Sequence, residues 1–221
     1  MPATEKVTKE RIIRAVLESA FVKSVGGTSL ADISEKLGIK KASLYNHYES
    51  RDAMIDDTVA YCGDTLRKMR FIPADMAATA QKYPAETVLK GIANHWFKLH
   101  EKEPLLQVFV FLESEKYFSN QAAAIAAEMR EALIKQGELA LKSLSDAQKI
   151  KPLDETSARQ YAVLFVGTLH DLLDSYLTDK KVSIRSNPET GSDTLFAAPA
   201  EEPDFAEIDG VIDHFCALLK R

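Results

Sequence analysis

The chain has 221 residues, of which 46% are apolar and 28% are charged, with a formal net charge of −5. These values are typical of an ordered globular protein with a sizeable core, and they exclude a disordered or fibrous chain. Because no run of about 20 apolar residues occurs, we expect no membrane-spanning segment and a cytoplasmic protein. The two cysteines, Cys62 and Cys216, are far apart in the sequence and predict neither a disulfide nor a metal site.

Positive charge is concentrated near the N-terminus. Residues 1–55 contain nine Lys and Arg against seven Asp and Glu, whereas the remaining residues contain 19 against 26. Since Lys and Arg neutralise phosphates locally, the acidic remainder does not exclude a nucleic-acid partner. We expect any surface that contacts phosphates to lie in the first 55 residues.

Apolar residues follow a helical spacing from the N-terminus onward. Thr8 is placed to cap a first helix, whose apolar residues recur every three or four positions from Ile12 to Phe21. Gly26 and Gly27 are expected to end it. A second and a third short helix then follow.

The second helix is predicted to start at Thr28 or Ser29, either of which can act as its N-cap, and to end at Gly38. The third helix carries Leu44 and Tyr48 towards the core. Two short helices joined at a turn that contains glycine, with a supporting helix before them, are typical of a helix-turn-helix motif.

A fourth helix is predicted after the N-cap Ser50, and no segment of the sequence predicts a strand. The later helices are expected at about residues 84–101, 104–117, 120–144, 154–177 and 207–220. The residues from 180 to 203 contain three prolines and a glycine, and they predict a mobile loop. Asp204 and Glu207 then have the spacing of a capping box for the last helix.

The outward face of the third helix is predicted from steps of 100° per residue. With Leu44 facing the core, Ala42 and Asn46 lie on the opposite side and Ser43 and Tyr45 flank them. Asn46 has the groups to pair with adenine, Ala42 suits a thymine methyl, and the two hydroxyls suit phosphate. This face is expected to meet DNA.

Cations and a helix start adjoin this face. Lys40 and Lys41 add charge where the third helix begins. Arg51 lies in the first turn of the fourth helix, where a cation and free backbone N–H groups can hold a phosphate.

Residues 28–33 (TSLADI) and 37–48 (LGIKKASLYNHY) closely resemble the signature of the TetR family of transcriptional regulators. The segment 44–48 (LYNHY) is the most diagnostic part, and the similarity spans about residues 8–56. The resemblance implies an all-α fold, with a helix-turn-helix DNA-binding domain over residues 1–55 and a helical domain for ligand sensing and dimerisation over residues 56–221. It also implies phosphate contacts from Thr28, Ser43, Tyr45, His47 and Arg51.

The sequence departs from the family pattern in several places. Lys40 replaces the usual serine, Ala42 the usual glycine, and Tyr48 the usual core phenylalanine. By the helical count His47 also lies partly towards the core, so simple packing is the alternative to its phosphate contact. The predicted DNA-binding residues are Thr28, Ser29, Lys40, Lys41, Ala42, Ser43, Tyr45, Asn46, His47 and Arg51.

A homodimer is expected for two reasons. The helix at 154–177 has an apolar surface wider than one stripe, which indicates packing on two sides. With the helix at 207–220 it would form a four-helix interface across a two-fold axis. Two reading helices about 34 Å apart would then recognise a palindromic operator in double-stranded DNA. The alternative is a monomer in which the long helix is deeply buried.

Aromatic and imidazole side chains of the larger domain predict a pocket for a small hydrophobic or aromatic ligand. Trp96 with His95 offers an apolar wall and a polar group and leads this set, although each member has a place in the core as its alternative. The predicted ligand-binding residues are Tyr61, His95, Trp96, His100, Phe109, Tyr117 and Phe165.

No phosphate-binding loop, nucleophile elbow or zinc-binding helix motif occurs, so we expect no enzyme activity, no cofactor and no metal site. The resemblance implies a repressor that a ligand releases from its operator, with an activator or a regulator without a small ligand as the alternatives. Two other classes stay open: a helical small-molecule-binding protein or enzyme that binds no DNA, and an adaptor that binds a partner through residues 180–203.

Overall fold

The computed structural model describes residues 6–101, 104–186 and 205–221. Within them the secondary structure is helical throughout, which confirms the predicted all-α fold class. In chain order the helices are α1 (Lys9–Lys23), α2 (Leu30–Lys36), α3 (Lys41–Leu44), α4 (Arg51–Leu66), α5 (Met76–Lys82), α6 (Ala85–His100), α7 (Leu105–Glu115), α8 (Asn120–Asp146), α9 (Glu155–Ser186) and α10 (Phe205–Leu218).

The described residues form two compact units. The first lies within residues 1–69 and 100–130, and the second within residues 70–99 and 131–221. The first unit therefore holds α1 to α4, α7 and the start of α8, and the second holds α5, α9, α10, most of α6 and the rest of α8. The functional division at residue 55 stays a prediction.

Polar side chains start the N-terminal helices. The Oγ1 atom of Thr8 accepts a hydrogen bond from the N–H of Arg11 at 3.3 Å, and the Oγ atom of Ser50 accepts from Ala53 at 3.0 Å. Both caps were expected from the sequence. Of the two candidates for the cap of α2, Ser29 is the one used.

Two glycines shape the ends of the first two helices. A Cβ atom at Gly27 would lie 2.3 Å from the carbonyl oxygen of Lys23, so only glycine fits after α1. Gly38 follows α2 with φ of 65°, the left-handed conformation that glycine adopts without strain. The predicted stop of α2 at Gly38 is therefore confirmed, whereas α1 already ends at Lys23, with Ser24 as its C-cap, before the two glycines.

The core of the first unit fixes the short helices in place. Ile12, Val16, Ile33 and Val59 are 0% exposed, and Leu44 is 1% exposed. Full burial of such a side chain stabilises the fold by about 1.5–3 kcal/mol. Since α2 has only seven residues and α3 only four, this burial rather than helix propensity holds them.

In the second unit α6 and α10 run antiparallel. The Nζ atom of Lys90 lies 2.7 Å from Oδ1 of Asp213, and the Nζ atom of Lys98 lies 5.6 Å from the ring centroid of Phe205. The two positions on α6 are eight residues apart, as are the two on α10, so the pairs mark one continuous line of contact.

Three predictions need correction or lie outside the described residues. The helix α5 was not predicted at all. The expected loop is wrong for residues 180–186, because α9 continues to Ser186 and residues 180–186 contain neither glycine nor proline. The rest of that loop, and the cap Asp204, lie outside the described residues.

Candidate nucleic-acid interface

The side of α3 and its following turn that faces away from the core is exposed. Leu44 and Tyr48 are 1% and 6% exposed, whereas Ala42, Tyr45 and Asn46 are exposed, Tyr45 to 53%. The helical count predicts this division. We call Ala42, Tyr45 and Asn46 the reading face, since it presents a methyl, a phenol and an amide on one surface.

The helix α3 is shorter than predicted, but its coiling continues. It ends at Leu44, and residues 45–47 form a turn. The N–H groups of His47 and Tyr48 donate to the carbonyl oxygen of Leu44 at 2.9 and 3.1 Å. Because the second of these bonds has the helical i to i−4 spacing, Tyr48 is still directed into the core.

Two lysines lie beside the reading face. Lys40 and Lys41 are exposed, and within the described part of the chain neither forms an ion pair. Lys36, by contrast, has its Nζ atom 3.2 Å from Oε2 of Glu18. The charge of Lys40 and Lys41 is therefore available to an external anion.

Ser29 and Asp32 form a capping box at the start of α2. The Oγ atom of Ser29 accepts from the N–H of Asp32 at 3.2 Å, and the N–H of Ser29 donates to Oδ2 of Asp32 at 2.8 Å. The Nζ atom of Lys23 also donates to Oδ1 of Asp32 at 2.5 Å. These bonds, that of Lys23 first, lower the pKa of Asp32 to about 2.

Thr28 and Arg51 are used within the first unit. Thr28 is 2% exposed, and its hydroxyl donates to the carbonyl oxygen of Ser24 at 2.7 Å. The Nε atom of Arg51 donates to the carbonyl oxygen of Thr28 at 3.0 Å, and its Nη2 atom donates to that of Val25. The phosphate contacts expected from Thr28 and Arg51 stay predictions.

At the border of the reading face lie Ser43 and His47, both half-buried. Next to them the hydroxyl of Tyr48 donates to Oδ2 of Asp57 at 2.6 Å. The Nζ atom of Lys9 lies 4.8 Å from the Tyr48 ring centroid and 3.7 Å from the same carboxylate oxygen. Burial, followed by the bond to Asp57, raises the pKa of Tyr48. The phenol thus links the start of α1 to α4.

Four of the predicted ligand residues lie in the first unit. In the first unit Tyr61 is half-buried against the core, and His100 is fully buried with its ring centroid 5.3 Å from that of Phe109. Tyr117 is 77% exposed. A binding role for these four residues stays a prediction.

In the second unit Trp96 and Phe165 are almost fully buried. Phe165 packs on Phe215 with ring centroids 5.2 Å apart. Trp96 lies with its ring edge against Phe71, at 5.7 Å between centroids. The two aromatic rings of Phe71 and Trp96 adjoin a small void of only about 10 Å³, which is room for one water molecule at most.

His95 lies on a different face of α6 from Trp96 and lines an open cleft of about 410 Å³. Sequence reasoning missed every other residue of this cleft; the available signal was Gly91, a glycine one helical turn before His95. The lining residues are Phe71, Ile72, Pro73, Thr79, Tyr83, Thr87, Val88, Gly91, Ile92 and His95.

Two kinds of feature are absent from the described residues. None of the helices there is long and apolar enough to cross a membrane. In the same residues no group of three or more His, Cys, Asp or Glu side chains is arranged to hold a metal ion.

Residues 12–58 match the family described as bacterial regulatory proteins, tetR family. This match covers α2, α3, the reading face and nearly all of α1. The helix-turn-helix of this chain is therefore that of the TetR family. The chain is thus a helix-turn-helix transcriptional regulator.

A relative with a known role supports the same assignment. The chain is 25% identical over 147 residues to the biofilm operon icaADBC HTH-type negative transcriptional regulator IcaR of Staphylococcus aureus. The match covers 66% of this chain and 74% of IcaR.

Solved structures share the fold over most of the chain. FadR from Bacillus subtilis, in complex with stearoyl-CoA, has a TM-score of 0.59 at 12% identity and covers 94% of this chain and 97% of its own. AibR, in complex with isovaleryl coenzyme A and operator DNA, has a TM-score of 0.53 at 17% identity. The match covers 80% of this chain and 96% of AibR. At these identities the likeness establishes the fold alone.

Proposed function

We propose that this TetR-family regulator is a homodimeric repressor that binds a palindromic operator and is released by a small hydrophobic ligand. The exposed reading face, with Lys40 and Lys41 beside it, is the observation that carries the proposal. A helix-turn-helix protein places such a face in the major groove. The name of IcaR, a negative regulator, supports repression.

On this proposal base edges are read by two residues. The amide of Asn46 makes a pair of hydrogen bonds with adenine, and the methyl of Ala42 contacts a thymine methyl. A good bidentate pair discriminates against a wrong base by about 1–3 kcal/mol. Tyr45 and Ser43 donate hydroxyl hydrogen bonds to phosphate oxygens and fix the orientation.

Phosphate binding involves a second set of residues. Lys40 and Lys41 attract the phosphate backbone of the DNA by charge. Exposed Ser29 and half-buried His47 add polar contacts to phosphates. Thr28 and Arg51 position the loop before α2 through their bonds inside the first unit. These roles are part of the proposal.

Dimerisation is proposed through α9 and α10. Most of the apolar surface of α9 is covered by its own chain, but Leu164 is left 54% exposed. On α10 Leu218 is 57% exposed. Apolar side chains of this size at the surface of a regulator that reads two half-sites favour a two-fold interface here.

The ligand acts by a difference in affinity. It releases DNA only if it binds more tightly to the arrangement of the dimer that does not fit the operator. A coupling of about 1–3 kcal/mol weakens DNA binding roughly 5 to 150-fold. FadR and AibR, solved with acyl-CoA ligands, support ligand control on this fold.

The test uses a duplex recovered by the wild-type protein from a random pool and measures affinity by fluorescence anisotropy. The variant Tyr45→Phe/Asn46→Ala should lose at least tenfold in affinity while it stays folded and dimeric. The matched control Tyr117→Phe/Asn120→Ala changes the same residue types at exposed positions outside the helix-turn-helix and should bind as wild type. An equal loss of operator affinity in both variants, or a loss in neither, would contradict the assignment of the reading face.

A further inference from the structure

The cleft on α6 is deepened by a missing side chain. Gly91 lies in the middle of α6, and a Cβ atom built there would meet no other atom within 4 Å. Glycine inside a helix is destabilising relative to alanine. Its position at the cleft therefore keeps space open at a cost to the helix. The resulting volume of about 410 Å³ lies in the range of small-molecule sites.

The walls of the cleft are apolar and uncharged. Ile72, Val88 and Ile92 are almost fully buried and form its inner surface with Phe71. None of its ten lining residues is an Asp, Glu, Lys or Arg. A charged ligand would give up hydration here without gaining an ionic partner from the lining residues, which is unfavourable. The neighbouring cation Lys82 is not one of them, and its Nζ atom lies 5.0 Å from the ring centroid of Tyr83.

A few polar groups lie around these walls. The hydroxyl of Thr79 already donates to the carbonyl oxygen of Asp75 at 2.7 Å, so towards the cleft it offers an acceptor. Thr87 adds a second hydroxyl, and His95 adds an exposed imidazole. A small number of such groups orients a ligand whose remaining surface is apolar.

We propose that this cleft binds a compact, neutral, largely aromatic molecule that carries one hydrogen-bonding group. The proposal rests on the proposed function, because this molecule is the ligand that would release the operator. The site differs from the one expected from the sequence, since Trp96 adjoins a void too small for any such molecule.

Phe71 gives the occupant a route to the rest of the second unit. Its ring lines the cleft and also contacts Trp96 edge to face, and its N–H donates to Oε1 of Gln136 on α8 at 3.0 Å. A molecule that contacts the Phe71 ring therefore contacts a residue that joins the cleft to both Trp96 and α8.

The experiment uses two matched probes and the intrinsic fluorescence of Trp96, the only tryptophan of the chain. N-phenyl-1-naphthylamine is neutral, and 1-anilinonaphthalene-8-sulfonate is the same skeleton with a negative charge. Titration of the full chain without DNA should show saturable binding of the neutral probe, one per chain, with quenching of Trp96 by energy transfer. The sulfonate should bind at least tenfold more weakly.

Gly91→Leu fills the cleft and should weaken binding of the neutral probe at least tenfold. The matched control Gly91→Ala should bind this probe with an affinity within about twofold of wild type. Thermal unfolding and operator affinity of each variant show that the fold is intact. Unchanged probe affinity in Gly91→Leu overturns the site, and equal affinity for the sulfonate overturns the neutral ligand class. A chain that binds probe but no DNA contradicts the proposed function, whereas one that binds DNA but no probe contradicts this inference.

Discussion

The Nε atom of Arg51 donates to the backbone carbonyl oxygen of Thr28 at 3.0 Å, and this bond joins the first turn of α4 to the loop before α2. A second bond from the same guanidinium reaches the carbonyl oxygen of Val25. Thr28 is closed into the same loop by its own hydroxyl bond to Ser24. The loop before α2 is therefore held in place by Arg51, a residue for which the sequence alone predicts a phosphate contact.

Arg51→Met separates the two roles of Arg51. It keeps the length of the side chain but removes both donors, and a buried carbonyl left without a partner costs about 1–3 kcal/mol. We expect chemical denaturation to show a loss of that size, with weaker operator binding but an unchanged slope of log affinity against log salt. Full stability with a slope smaller by about 0.9 would instead establish a phosphate contact.

Lys41→Ala should show the opposite pattern. Lys41 is exposed and has no ion pair among the described residues, so its removal leaves folding intact. If it neutralises one phosphate, the salt slope of operator binding falls by about 0.9. Lys36→Ala is the control, because Lys36 is paired with Glu18. The idea fails if both variants keep the wild-type slope.

The pH dependence of stability should reveal the Asp32 carboxylate. Its pKa is about 2 in the folded protein and close to its ordinary value of about 4 in the unfolded chain. A lowered folded pKa stabilises the fold above the unfolded pKa, and this contribution disappears as the pH falls from about 4 to about 2.

Thermal unfolding of Asp32→Asn and wild type from pH 7 to pH 2 tests this. The difference in Tm should be constant down to about pH 5 and should close between about pH 4 and pH 2. Asp56→Asn, at an exposed position of α4, is the control and should show little difference. A gap for Asp32→Asn that persists at pH 2 would mean that its effect is not electrostatic.

Leu164→Glu tests the proposed dimer interface. A carboxylate at this exposed position of α9 would be desolvated between two subunits, so the dimer dissociation constant should rise at least tenfold in analytical ultracentrifugation. Leu139 on α8 is exposed to 47%, close to the 54% of Leu164, and Leu139→Glu is the matched control. Equal dissociation in both variants, or in neither, would argue against an interface built by α9.

The helix-turn-helix could be predicted from the sequence because its determinants are local. The spacing of Ile12 and Val16 gives the face of α1, and Leu44 sets which side of α3 is exposed. The choice of Ser29 over Thr28 as the cap of α2 was also available, since Ser29 has an acid three residues later and Thr28 does not.

Other features depend on tertiary structure. The segment of α5 (Met76–Lys82) has few large apolar residues and no clear helical stripe, so periodicity did not reveal it. The separation of His95 from Trp96 depends on the exact rotation of α6 and on the position of Phe71, which no local pattern encodes. Arg51 binds carbonyl oxygens more than 20 residues earlier in the chain, a contact that only the folded loop creates.

The most direct test of a dimeric operator reader is a selection of random duplexes by the purified protein at near-physiological salt, followed by sequencing of the retained pool. A dimeric reader should enrich a palindrome whose half-sites are centred about one helical turn of DNA, or a multiple of it, apart. Enrichment of a single unrepeated site would contradict the dimer, and no enrichment at all would contradict sequence-specific reading by Ala42 and Asn46.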